Sequence, residues 1–182
     1  MSDPWHRLDT LLGHIWDRLA AGVADASDPF RLVALATAGT DGPEARMVGL
    51  RGADRRAGTI EVHSDLRTAK IRALWTEPRA ALLFWDAATQ VQIRLSVEMT
   101  LIPADRDRWA EVPPEPRLNY GTDPAPGLSV ASPEIVTRTP ALERFVALSG
   151  HVRGIDAVSL AHAPHRRASF DGPDAPGRWV AP

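Results

Sequence analysis

Phe30-Arg31-Leu32-Val33-Ala34-Leu35-Ala36-Thr37-Ala38, then the turn Thr40-Asp41-Gly42-Pro43, then Arg46-Met47-Val48-Gly49-Leu50-Arg51 decide the fold class. The first run reads as a β-strand, the turn signal is strong, and the third run reads as a returning strand. The pattern repeats outward from there. Gly52 to Gly58 turns the chain and Thr59 to His63 reads as the next strand. Ala80 to Trp85 and Val91 to Ile102 follow, separated by Asp86 to Gln90. Val152 to Leu160, Arg167 to Phe170 and Trp179 to Ala181 complete the series. Short strands joined by hairpin-length turns predict an antiparallel barrel rather than a parallel sheet.

Helical spacing marks the intervals. Trp5, Leu8, Leu12, Ile15, Trp16 and Leu19 form one apolar stripe and predict a leading helix within residues 1–25. Ser2 or Asp3 is its expected cap and Pro4 suits its first turn. Ala24 to Pro29 reads as a connection. Thr68 to Trp75, Asp105 to Glu111 and Pro140 to Leu148 are further helix candidates. Pro113 to Gly127 holds five Pro and two Gly and reads as a long loop, a feature that is often functional. Residues 1–182 read as a single domain, with the barrel and its helical insertions over 30–182.

Composition narrows the function. The chain has 182 residues, no Cys and a formal net charge of −2. Disulfides, zinc–thiolate sites and thiol catalysis are excluded, and the near-neutral balance argues against a nucleic-acid binder. No apolar run approaches the roughly 20 residues of a membrane span. The N-terminus shows no secretory pattern, so the cytoplasm is the expected location. Of the 21 basic residues only Lys70 is a lysine. Codon bias explains the arginine excess but not the one lysine that remains.

Ser64-Asp65-Leu66-Arg67-Thr68-Ala69-Lys70 joins a strand end to a helix start. Hydroxyls, two cations and free helix N–H groups there suit a phosphate; an ordinary N-cap with solvated basic residues is the plain alternative. Arg46 and Arg51 lie five apart on one strand, hence on opposite faces, and serve one ligand only if the strand bulges, for instance at Gly49. Gln92, Arg94, Ser96 and Glu98 share a strand face that meets either solvent or a polar cavity. Glycine-rich nucleotide loops and the Gly-x-Ser-x-Gly elbow are missing. Pro164 breaks the helix that would align His162 and His165, so no metal site is expected.

In order and spacing, these segments resemble the pyridoxamine 5′-phosphate oxidase superfamily of FMN-binding split barrels. The matching stretches are Arg46 to Arg51, Val62 to Lys70, Pro78 to Trp85, Val91 to Arg94, His165 to Arg167 and Trp179 to Pro182. The resemblance implies a mainly β fold with flanking helices, an antiparallel, Greek-key-like split β-barrel. It implies a homodimer with FMN between the subunits and a small-molecule substrate. Carried over by position, Arg46, Met47, Val48 and Arg51 match the first flavin-binding strand, and His63 and Ser64 a pair beside the cofactor. Arg67, Thr68 and Lys70 match the phosphate-binding residues, Gln92 a cofactor-contacting Gln, and Arg167 an Arg reaching the flavin across the dimer. Dedicated oxidases of the family carry Arg-x-His-Asp-Arg near the C-terminus; Ala163 stands here at the leading Arg. The function expected is an FMN-dependent oxidoreductase other than a vitamin B6 oxidase, with no catalytic side chain nominated. The alternative is a non-catalytic flavin- or haem-binding or sensing module on the same barrel, or one that takes a deazaflavin.

Overall fold

The computed structural model describes residues 3–182. Ser2, one of the two expected caps, lies outside them. Asp3 caps a separate 3₁₀ turn, Pro4–His6, by accepting from the Trp5 N–H. Arg7 is extended, so helix α1 (Leu8–Ala24) begins four residues later than the proline suggests. Its stripe Leu11, Leu12, Ile15, Trp16 and Leu19 is buried against the barrel.

Ten strands follow: β1 (Leu32–Gly39), β2 (Gly42–Asp54), β3 (Thr59–Asp65), β4 (Arg79–Asp86), β5 (Val91–Pro103), β6 (Thr122–Asp123), β7 (Thr137–Arg138), β8 (Phe145–Ser159), β9 (Arg166–Phe170) and β10 (Gly177–Val180). The main sheet runs β10-β9-β8-β3-β2-β1-β4-β5, and a further β5–β8 pairing closes it on itself. The closed ring is a six-stranded antiparallel barrel of β1, β2, β3, β8, β5 and β4. Strand β8 serves two neighbours in turn. Its first half pairs with β3 and its second half with β9, while β5 runs along its other edge throughout. Helix α2 (Ala69–Thr76) follows β3, and α3 (Arg106–Glu111) and α4 (Pro114–Arg117) follow β5. Among the described residues no helix is long and apolar enough to cross a membrane.

Four expectations are corrected. Pro140 to Leu148 is not a helix: a 3₁₀ turn at Leu142–Arg144 leads directly into β8. Phe145, Val146, Ala147 and Leu148 are all fully buried. Val146 and Leu148 enter the barrel core, while Phe145 and Ala147 pack outside it with Val112 and Tyr120. A strand covered on both faces reads as a continuous apolar run, which spacing alone does not separate from a helix. Residues 113–127 are not a plain loop, since they hold α4 and a 3₁₀ turn at Leu118–Tyr120. The first strand begins at Leu32 rather than Phe30, because Asp28 caps a 3₁₀ turn over Pro29–Arg31. The bulge in β2 falls at Arg51, not Gly49: Leu50 faces Val62 and Gly52 faces Glu61, leaving Arg51 as the extra residue.

Helix α1 closely approaches the 3₁₀ turn that precedes β1 at Gly22, where an added Cβ would stand 2.8 Å from the Phe30 carbonyl carbon and from its Cβ. Gly22→Ala gains helix propensity but forces α1 off Phe30. A net loss of about 1–3 kcal/mol in chemical denaturation is expected; an unchanged or raised midpoint would contradict this close approach.

Candidate functional site

A cavity of about 480 Å³ opens between the middle of β2, the end of β3 and the start of α2. Met47, Val48, Gly49 and Arg51 form one wall; His63, Ser64, Thr68 and Lys70 form another. The segment from Asn119 to Val136 roofs it, with Tyr120, Thr122, Pro124 and Leu128 among the lining side chains.

The wall geometry follows from local sequence. The bulge lets Arg51 share the cavity with Met47, and Gly49 leaves space for it: a Cβ at Gly49 would sit 3.0 Å from the Arg51 guanidinium carbon. At the end of β3 the buried Asp65 carboxylate accepts from the Arg67 N–H and guanidinium. Thr68 occupies the N-cap position of α2, yet its hydroxyl turns to the Asp65 carbonyl at 2.9 Å and to Ser64 Oγ at 3.2 Å. No side chain therefore caps α2. Lys70 Nζ donates to Ser64 Oγ at 3.1 Å. Burial, then the nearby Arg46 charge, pushes the Lys70 ammonium below its ordinary value, with Asp65 opposing.

The roof is tied down at its root. Arg67 donates to the Thr122 carbonyl at 2.7 Å, and Thr139 N–H donates to the Gly121 carbonyl at 3.0 Å, beside the β6–β7 pairing. A Cβ at Gly121 would fall 1.6 Å from the Thr139 carbonyl oxygen, so only glycine fits there. Tyr120 packs edge-on to Phe145 and lies near Trp109. Burial raises the Tyr120 pKa, opposed by the nearby Arg51 guanidinium.

Of the residues singled out by sequence, the cavity brings together Met47, Val48, Arg51, His63, Ser64, Thr68 and Lys70. Four lie elsewhere. Arg46 is committed to Thr37 and Glu44, and Arg67 to Asp65 and the roof. Gln92 and Arg167 sit on the outer face of the sheet, in one cross-strand row through Val158. Arg167 there grips Asp156 at 2.8 Å. His162 of the His162–His165 pair bonds Ser159 at 2.7 Å and Asp3 at 3.0 Å. Among the described residues no group of three or more metal-ligating side chains occurs. Sequence reading missed Tyr120, Thr122 and Glu61. The proline-rich loop was the signal for the first two; the shared face of residues two apart on a strand was the signal for Glu61.

A family model described as pyridoxamine 5′-phosphate oxidase, FMN-binding domain, matches residues 13–103. The chain belongs to this family. It is similar to a pyridoxine/pyridoxamine 5′-phosphate oxidase of Synechocystis, 34% identical over 103 residues, covering 56% of this chain and 46% of that protein. It is also similar to one of Xanthomonas oryzae pv. oryzae, 40% identical over 94 residues, covering 47% and 46%. The chain thus spans about half the length of the curated relatives it matches. Two solved structures share the fold across the whole chain. A pyridoxamine 5′-phosphate oxidase-related, FMN-binding protein from Nostoc punctiforme gives a TM-score of 0.77 at 22% identity, covering 100% of this chain and 98% of that one. PhzG from Burkholderia lata, in complex with tetrahydrophenazine-1-carboxylic acid, gives 0.73 at 18% identity with the same coverage.

Glu61 accepts from His63 Nε2 at 2.9 Å and from Arg108 Nε at 2.8 Å. Burial alone would raise its pKa, but these bonds and the Arg108 charge hold the carboxyl below its usual range. A depressed carboxylate stabilises the fold above its unfolded pKa, and this is lost as pH falls through the folded value. Glu61→Gln is therefore expected to lower the melting temperature at neutral pH, with the gap from the parent closing below about pH 4. A gap constant from pH 7 to 3 would contradict this.

Proposed function

We propose that the chain binds FMN non-covalently in the cavity at the start of α2 and acts, as a cytoplasmic homodimer, as an FMN-dependent oxidoreductase on a small molecule. The whole chain works as one domain in this reading. The observation that carries it is Lys70. Among the described residues its half-buried ammonium is hydrogen-bonded only to the neutral Ser64 hydroxyl; it feels the Arg46 charge and stands beside the uncapped start of α2. A partly buried cation without a paired carboxylate is costly. A phosphate of nearly two negative charges supplies the missing charge, with Ser64, Thr68 and helix N–H groups as further donors. In a chain of an FMN-binding family, that phosphate is best read as the one FMN carries. Bound there, FMN would supply the redox chemistry; the protein would supply binding, orientation and electrostatics.

The dimer reading rests on the outer sheet face. Leu32 and Met47 are 57% and 59% exposed, and Leu83 and Trp85 are exposed beside them on the outward side of β1, β2 and β4. Met47 also lines the cavity, so this apolar face runs into the mouth of the site. Gln92 is paired across from Trp85 on the same face. Two copies joined through it would bury these side chains and bring Gln92 and Arg167 of one copy toward the cavity of the other. That accounts for two residues matching the family's cofactor positions yet lying away from their own cavity. Ala163 in place of the substrate-holding Arg favours a substrate other than a vitamin B6 phosphate.

Purified protein is expected to be yellow and to release FMN on denaturation; a colourless chain that also fails to take up FMN would overturn the reading. Lys70→Met should weaken FMN binding about tenfold to a hundredfold, the equivalent of a charged hydrogen bond of about 1.5–3 kcal/mol. It should leave riboflavin affinity unchanged and flavin-free stability no lower. Light scattering should give a dimer mass for the parent and a monomer mass for Leu83→Asp, with weaker FMN binding in the monomer. A monomeric parent with FMN bound would refute the shared site.

A further inference from the structure

The cavity at the start of α2 is divided by polarity. The basic and acidic side chains that line it all stand on the barrel side: Arg51 on β2, His63 and Asp65 on β3, and Lys70 on α2. The roof is polar only at its root, through Asn119, Tyr120 and Thr122. Beyond Asp123 its lining side chains are apolar, with Pro124, Pro126, Leu128, Val130 and Val136 among them. Glu134, the one charged residue of the segment 124–136, lies outside the lining.

This apolar half is uncovered. Leu128 is 63% exposed, Val130 38% and Val136 37%, although all three line the cavity. The segment is tied to the barrel through its root, where Thr122 pairs with Arg138 and Asp123 with Thr137. Backbone bonds from Leu128 to Ala125 and from Val136 to Pro133 stay inside the segment. Apolar side chains around a concave site gain when the apolar surface of a ligand displaces water from them. A charged group placed under them loses its hydration and meets no opposite charge on that side.

We propose that residues 124–136 form the substrate half of the cavity and select an uncharged, apolar ring, laid against a cofactor whose phosphate the barrel wall holds. The proposal rests on the flavin reading and adds the substrate class to it. Selection acts in two ways: the roof covers ring surface, and it rejects an anion by leaving its charge unpaired.

Two probes of the same ring size separate these effects: naphthol, which is neutral at pH 7, and naphthalenesulfonate, which is an anion. Their binding to FMN-loaded protein is followed by the change in flavin absorbance. The parent is expected to bind naphthol at least about tenfold more tightly than naphthalenesulfonate. Leu128→Lys should weaken naphthol about tenfold and strengthen naphthalenesulfonate. Because Leu128 is exposed, the variant should keep the parent's FMN affinity, melting temperature and mass in light scattering. Equal binding of the two probes by the parent, no binding of naphthol, or an unchanged preference in Leu128→Lys would overturn the proposal. Weaker FMN binding in Leu128→Lys would make the segment a cover for the cofactor, and a smaller mass would make it a subunit contact; either result overturns the substrate role. A parent that does not bind FMN marks the failure of the flavin reading, whereas an FMN-loaded parent indifferent to probe charge marks the failure of this one.

Discussion

The β5–β8 ladder is the constraint on which the rest of the molecule depends. It runs from Val91–Ser159 to Pro103–Val146 and turns an eight-stranded sheet into a closed barrel. Closure removes the edges that β5 and β8 would otherwise present along this ladder. It also forces the first half of β8 to be apolar on both sides. Its inward residues fill the barrel, and Phe145 on its outward side supports Tyr120, Trp109 and His63. That aromatic cluster carries the roof root and the ring of His63, so the cavity is built on the back of the strand that closes the core.

Charge is distributed on the same plan. Arginines around the cavity are committed to partners: Arg67 to Asp65 and the roof, Arg108 to Glu61 and Asp105, Arg46 to Glu44 and Thr37. Such guanidinium–carboxylate pairs fix geometry more than they attract a ligand. Lys70 differs, being held by a hydroxyl rather than a carboxylate. The chain combines a rigid arginine frame with one ammonium that, among the described residues, has no carboxylate in direct contact.

Much of this was legible in the sequence because strand alternation and turn residues act locally. The hairpin of β1 and β2, the β3–α2 junction and the polar outward row of β5 all follow from such signals. The misreadings arose where a distant contact overrode the local pattern. Phe145 to Leu148 has helical spacing, but its two sides meet two separate cores contributed by residues far away in the chain. Glycine's flexibility points to a bulge at Gly49, yet it falls at Arg51, where the register against β3 shifts and Gly49 serves to make room. Seven of the eleven candidate residues meet in one cavity because they come from adjacent elements. Gln92 and Arg167 sit together on another face, a pairing that depends on the β5–β8–β9 register and that no single segment encodes.

The scarcity of lysine has a consequence for chemical labelling. The chain has one side-chain amine, and it sits half-buried in the cavity with its pKa lowered by burial and by Arg46. A larger fraction of it is the nucleophilic free base at a given pH than for a solvated lysine. Apart from the α-amino group, an amine-selective acylating reagent therefore has one side-chain target in the chain, at the wall of the site. Protection of that amine reports directly on whatever occupies the cavity, without a reporter having to be engineered in.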